Sequence, residues 1–115
     1  MGKKIGILIS DLKVEAELNE TKTAQLIWEA LPIEAKGNLW GEEIYFSIPV
    51  KAGLEEGATE VVKAGELGYW PPGHAFCIFF GPTPASKGNE IRAASAVNLI
   101  GKVLGDLKVL RTAKD

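Results

Sequence analysis

The segment Gly65-Glu-Leu-Gly-Tyr-Trp-Pro-Pro-Gly73 places two aromatic side chains directly before two prolines. Tyr69 and Trp70 each combine a large apolar body with one polar atom, which suits the rim of a pocket. Proline restricts the backbone φ angle, so Pro71 and Pro72 would hold such a rim rigidly. Two interpretations follow: an aromatic rim beside a ligand pocket, or aromatic side chains that close one end of the core.

Two side chains with basic or nucleophilic chemistry follow this segment. His74 is the single histidine of the chain, so no second histidine can share a metal ion with it, and no metal site is predicted. Its place after Pro-Pro-Gly favours a surface loop over a general base. Cys77, the single cysteine, lies in an apolar run, which favours a buried core residue over a reactive thiol.

Other catalytic arrangements find no support in the residue spacing. The chain has no glycine-rich phosphate loop, and its serine, histidine and acidic residues have no spacing that supports a hydrolase triad. Glu42 and Glu43 are adjacent on a predicted strand and therefore face opposite ways, so they do not form a general acid–base pair. No cofactor is predicted, and the catalytic residues, if there are any, are not identified.

The composition argues against nucleic acid and membrane partners. The 115 residues include 13 basic and 15 acidic side chains, a formal charge of −2, whereas a nucleic-acid binder usually carries a basic patch. No apolar run approaches the roughly 20 residues that span a membrane, and no signal peptide is visible. These features predict a cytoplasmic protein with a single domain over residues 1–115.

The hydrophobic periodicity predicts many short strands and one long helix. Apolar residues at alternate positions predict a hairpin whose first strand covers residues 3–10. Ala24, Ile27, Trp28 and Leu31 have helical spacing and predict a helix over residues 20–31, with Asn19 as its N-cap.

In the rest of the chain, glycines and prolines separate short apolar runs, a pattern typical of a β-protein. Residues 65–73 are expected to form turns, and residues 75–80 a strand buried on both faces. Short strands separated by glycine and proline favour a small closed β-barrel of about eight strands. The other predicted elements are strands at residues 33–40, 42–48, 60–63 and 97–104 and a short C-terminal helix at residues 106–113.

Three runs resemble the small prokaryotic cyclophilin-like family. They are Tyr-Trp-Pro-Pro-Gly ending at Gly73, Phe-Phe-Gly-Pro-Thr-Pro ending at Pro84, and Val-Asn-Leu-Ile-Gly ending at Gly101. The segments 18–31 and 100–110 are similar to the early helix and the late strand–turn–helix of cyclophilins. The resemblance implies a closed barrel capped by one helix. It implies little about activity, because the family is defined by its fold.

One difference from active cyclophilins concerns catalysis. Those enzymes carry a Phe-His-Arg run on the strand after the first helix, and its arginine donates hydrogen bonds to the proline amide. The matching residues 41–49 here contain neither arginine nor histidine. Rotation about a prolyl bond has a barrier of about 18–20 kcal/mol, and an apolar groove without a donor does little to lower it.

The resemblance also suggests which side chains face a groove. Glu43 and Tyr45 occupy the place of the missing catalytic run, and Thr83 and Asn98 belong to the shared runs. The alternatives are a solvated face for Glu43 and Tyr45, a capped turn for Thr83 and a backbone hydrogen bond for Asn98. The predicted ligand-binding residues are Trp40, Glu43, Tyr45, Tyr69, Trp70, His74, Phe80, Thr83 and Asn98.

Three functions are open on the sequence. The leading hypothesis is a non-catalytic module that binds a small molecule or a proline-containing peptide. The second is a weak peptidyl-prolyl isomerase that works without the usual arginine. The third is a component of an amide- or urea-hydrolysing assembly, because similar barrels occur in subunits of allophanate- and oxoprolinase-type hydrolases. The sequence predicts no particular oligomeric state.

Overall fold

An antiparallel sheet forms most of the fold. The structure, a computed structural model, describes residues 2–9 and 12–112, which contain eight strands and one α-helix, Lys22–Ala30 (α1). A mostly-β fold with one helix is therefore confirmed. The strands are Lys3–Ile9 (β1), Leu12–Leu18 (β2), Asn38–Leu39 (β3), Glu43–Ser47 (β4), Thr59–Val62 (β5), Glu66–Trp70 (β6), Ala75–Phe79 (β7) and Ile91–Leu104 (β8).

The sheet stays open across the described residues. Its strand order is β1-β2-β8-β6-β7-β4-β3, with β5 pairing to β8 off this path. β1 and β3 stand at the two ends of this order and are not paired with each other within the described residues, so the closed barrel expected from the sequence is not supported. The reason lies in the segment where a strand over residues 33–40 is predicted. Only Asn38–Leu39 form a strand there, and residues 31–37 offer β1 no partner strand.

The central strand β7 is buried on both faces, as its apolar sequence predicts. Phe76 and Ile78 point to a cluster that also contains residues of α1, which we call the inner core. Cys77 and Phe79 pack on the opposite face, in a cluster that we call the outer core. The long strand β8 makes this possible because its first half pairs with β5 over the outer core, and its second half pairs with β6 and β2.

Residues 65–73 differ from the turn that the sequence predicts. They contain β6, which pairs with β7 on one side and β8 on the other, followed by a 3-10 turn at Pro71–Gly73. Two partner strands supply the hydrogen bonds that keep this glycine-containing segment extended. Tertiary pairing therefore outweighs the local turn signal.

The helix begins later than its sequence pattern predicts. Its N-cap is Thr21, whose hydroxyl accepts a hydrogen bond from the Ala24 amide at 3.3 Å, so Asn19 is not the cap. The Asn19 side chain instead accepts a hydrogen bond from the Thr21 amide at 3.1 Å, in the turn that precedes the helix. The predicted apolar face is only half buried, because Trp28 and Leu31 are 38% and 36% exposed.

The C-terminal helix is confirmed as a 3-10 helix over Leu107–Thr112, where the Asp106 carboxylate accepts from the Lys108 amide at 2.8 Å. Ser10 and Ala113, the predicted ends of two elements, lie outside the described residues. In the part of the chain that the structure describes, no helix combines the length and apolar character needed to cross a membrane.

Candidate functional site

A cleft of about 1060 Å³ lies between the two edges of the sheet, and we call it the edge cleft. One wall is residues 4–9 of β1, and the opposite wall is residues 31–39, the irregular segment and β3. Ile27 and Trp28 of α1 also line the edge cleft. The cleft therefore occupies the place where a closed barrel would have its last pair of strands.

The interior surface of the edge cleft is apolar. Strands β4 and β7 contribute Ile44, Phe46 and Phe76. Phe46 and Phe76 are register partners across the two strands, and their rings stack with centroids 5.1 Å apart and an interplanar angle of 14°. Stacked aromatic rings present a wide and rigid apolar surface, which suits contact with an apolar ligand group.

The rim of the edge cleft exposes apolar side chains to solvent. Leu8 on β1 is 75% exposed, and it lines the edge cleft together with the partly exposed Trp28 and Leu31. The Lys3 ammonium lies 5.3 Å from the Trp28 ring centroid and donates to the Gln25 side chain at 2.7 Å, so it holds the indole in place. Exposed apolar side chains that cluster in this way are typical of interaction sites. The charged residues of the lining are Lys4, Glu34 and Lys36.

Two of the predicted binding residues belong to the inner core. Tyr69 and Phe80 are both buried there. The Tyr69 hydroxyl donates to the Val50 carbonyl at 2.5 Å and accepts from the Ala52 amide at 3.2 Å. Tyr69 therefore anchors the loop after β4. Its position matches the interpretation in which this aromatic side chain closes the core, not the one in which it forms a pocket rim.

Three predicted residues lie at the outer core. Trp70 is half-buried there and its indole N–H donates to the Ser95 hydroxyl at 2.6 Å. Tyr45 is half-buried against the same cluster, and Glu43 shares its face of β4. The structure thus brings these three to one face of the sheet, opposite the inner core.

Glu43 is an unusual group in this environment. It is 5% exposed, and its Oε1 atom has no hydrogen-bond partner. Burial raises the pKa of Glu43 from 4.5 to about 7, and the neighbouring Cys77 thiol lowers it by a smaller amount. The carboxyl is therefore largely protonated below neutral pH. Burial, with a smaller effect of Glu43, raises the pKa of the Cys77 thiol far above its ordinary value, which confirms a core residue rather than a reactive thiol.

Asn98 joins three parts of the chain. Its amide nitrogen donates to the Thr23 hydroxyl at 3.0 Å and to the Gly53 carbonyl at 2.9 Å, and its oxygen accepts from the Glu55 amide at 2.8 Å. The Glu55 carboxylate in turn accepts from the amide and the hydroxyl of Thr23. These bonds hold the pKa of Glu55 below its ordinary value. Asn98 therefore fastens the loop at residues 53–55 to the start of α1.

The remaining predicted residues lie apart from one another. Thr83 caps a turn, because its hydroxyl donates to the Arg92 carbonyl and accepts from the Ala85 amide. His74 is exposed in the left-handed conformation after the 3-10 turn. Trp40 is half-buried between β3 and β4. Among the described residues, no group of three histidine, cysteine or acidic side chains could hold a metal ion.

The nine predicted residues do not share a cavity, and none of them lines the edge cleft. Sequence reasoning missed the residues that do. Leu8 was a usable signal, since it interrupts the alternation of β1 with an apolar residue at an outward position. Trp28 and Leu31 look like core residues of an isolated helix, and only the position of the sheet edges reveals their exposure.

The whole chain matches a known family. The family model described as Cyclophilin-like matches residues 3–115, so the chain belongs to the Cyclophilin-like family. It is also similar to a hypothetical protein, AF2241, from Archaeoglobus fulgidus, whose solution structure has 42% sequence identity and a TM-score of 0.77. That match covers 90% of this chain and 80% of the archaeal chain. No curated protein matches.

We predict that Glu43→Gln makes the protein more stable at neutral and alkaline pH. A carboxyl with a raised pKa in the folded state stabilises the fold fully below about pH 4.5 and loses this contribution as the pH rises to about 7. The glutamine imitates the protonated form at every pH. Its melting temperature should exceed that of the parent by about 5 °C or more at pH 8, and by much less at pH 4.5.

Calorimetry at both pH values checks this, with Glu56→Gln in an exposed loop as the matched control. An equal effect of Glu43→Gln at pH 4.5 and pH 8 would show that folding does not raise the pKa of the Glu43 carboxyl.

We also predict that Asn98→Ala destabilises the fold by about 2–4 kcal/mol, since it removes three hydrogen bonds, one of them to the buried Thr23 hydroxyl and two to part-buried backbone groups. Urea unfolding measures the loss, and Asn89→Ala, in an exposed loop, is the control. A variant as stable as the parent would contradict the structural role of Asn98.

Proposed function

We propose that this protein is a non-catalytic binding module and that the edge cleft is its binding site. The observation that carries the proposal is the apolar cleft between β1 and residues 31–39, with Phe46 and Phe76 stacked inside it. Ligand pockets are usually concave, mostly apolar and about 300–1,000 Å³ in volume. A cleft of about 1060 Å³ lies just above the upper end of this range.

The chemistry of the lining supports binding rather than catalysis. The titratable side chains of the lining are Lys4, Glu34 and Lys36. Catalytic acids and bases are usually recognised by burial or by close charged neighbours that shift their pKa values. All three of these side chains are exposed, so they are placed to orient a ligand at the rim.

The isomerase hypothesis has weaker support. The residues of β4 carry no arginine, and both arginines of the chain are bound by carboxylates. Arg92 contacts Glu60 at 3.1 Å and also pairs with Glu90, while Arg111 contacts Glu42 at 3.0 Å. A guanidinium that is already paired is a poor donor to a prolyl amide. The hydrolase-subunit hypothesis remains a prediction from the resemblance alone.

A substitution that fills part of the edge cleft should weaken binding. A Cβ atom added at Gly37 would lie 3.7 Å from the Ile44 side chain, which is ordinary contact inside the cleft. We predict that Gly37→Leu weakens binding of the apolar dye 8-anilinonaphthalene-1-sulfonate by about tenfold or more, because the leucine takes the place of the dye. Dye fluorescence in a titration measures the affinity.

The matched control is Gly53→Leu, where an added Cβ meets open space within 4 Å. The parent and this control should bind the dye saturably with equal affinity. No saturable binding by the parent, or an equal affinity for Gly37→Leu, would overturn the edge cleft as the binding site.

A further inference from the structure

We infer that the ligand of the edge cleft is an extended peptide segment of another protein, which pairs with β1 as an added strand and completes the sheet. This inference rests on the proposed function and specifies the class of ligand. Four features of the cleft carry it: its hydrogen-bonding wall, its dimensions, its apolar interior and its closure on both sides.

The first feature is the backbone of β1. Six successive residues, 4–9, line the edge cleft, and within the described residues β1 pairs with β2 alone. In an antiparallel pair, alternate residues of an edge strand direct their N–H and C=O groups away from the partner. An apolar small molecule would remove water from these groups without replacing its hydrogen bonds, at a cost of about 1–3 kcal/mol for each group. A peptide backbone supplies the missing partners.

The second feature is the size of the cleft. Neighbouring strands lie about 4.8 Å apart, packed sheets lie about 10 Å apart, and a strand rises about 3.3 Å per residue. Six extended residues therefore occupy roughly 950 Å³ with their side chains. The edge cleft has a volume of about 1060 Å³ beside six residues of β1, so one strand of this length fills it.

The third feature is the apolar interior. Ile5, Ile7 and Ile9 alternate along β1 and line the cleft together with the stacked pair Phe46 and Phe76. A strand that pairs with β1 would point every second side chain toward this surface and the others toward solvent. The expected ligand therefore has apolar residues at alternate positions and polar residues between them.

The fourth feature separates this ligand from a second copy of the chain. Residues 31–39 form a wall opposite β1, so the cleft is bounded on both sides. A strand from a second folded copy is already paired with a neighbouring strand of that copy. That neighbouring strand would also have to enter the cleft. Only a segment with both edges free fits between the two walls, which is the geometry of strand addition to a sheet edge.

The experiment uses the full chain and three capped peptides of the form acetyl-Lys-X-Thr-X-Thr-X-Lys-amide, in which X is valine, isoleucine or phenylalanine. Each peptide is also made with N-methyl groups on its X residues, and separately on its Thr residues. These two forms block opposite edges of the extended peptide and leave its side chains unchanged. Binding is followed by displacement of 8-anilinonaphthalene-1-sulfonate and by amide hydrogen exchange.

We expect at least one peptide to displace the dye and to slow hydrogen exchange at alternate amides of β1 by about tenfold or more. N-methylation of one edge should lower the affinity of that peptide by about tenfold or more, and N-methylation of the other edge should lower it by much less.

Three results overturn the inference. If the dye binds but no peptide displaces it, the ligand is not an added strand, although the binding site stands. If a peptide binds with no exchange protection in β1, or both N-methylated forms bind as well as the parent peptide, strand pairing is wrong. If neither dye nor peptide binds, the proposed function fails as well.

Discussion

The path of the chain between α1 and β3 determines the shape of the candidate site. Residues 31–37 return from the helix to the sheet without forming a strand, so β1 keeps one edge that no described strand pairs. Natural proteins usually cover such an edge or blunt it with charges, prolines or short strands. Here the edge borders a cleft, and inner-core residues such as Ile27 and Ile44 form part of its lining.

The polar side chains that look functional in the sequence largely fasten the long strand β8 and the loops around it. Asn98 connects β8 to α1 and to the loop at residues 53–55. Glu55 then places a carboxylate against the Thr23 amide in the first turn of α1. The positive end of a helix attracts an anion, and here the Glu55 carboxylate of the same chain is that anion. These groups are used in the fold, which leaves the apolar edge cleft as the proposed binding surface.

The sequence predicts local patterns well and long-range closure poorly. The two faces of β7 follow from the alternation of Phe76, Cys77 and Ile78, which any strand conformation would produce. Closure of the sheet depends on whether residues 33–37 meet β1, and that is a tertiary event with no local signature. For the same reason, the sequence does not predict the edge cleft. Trp28 has the periodicity of a core residue, whereas Leu8 stands at an outward position of β1, and both are exposed at the edge cleft.

The most direct test of binding in the edge cleft uses two tryptophans of the protein. Trp28 lines the edge cleft, whereas the indole N–H of Trp70 donates to Ser95 at the opposite face of the sheet. The indole N–H resonances can be followed in ¹H–¹⁵N spectra while 8-anilinonaphthalene-1-sulfonate is added. If the dye binds in the edge cleft, the Trp28 resonance moves with saturable binding and the Trp70 resonance stays in place. A shift of Trp70 without a shift of Trp28 would contradict binding in the edge cleft and would move the site to the outer core.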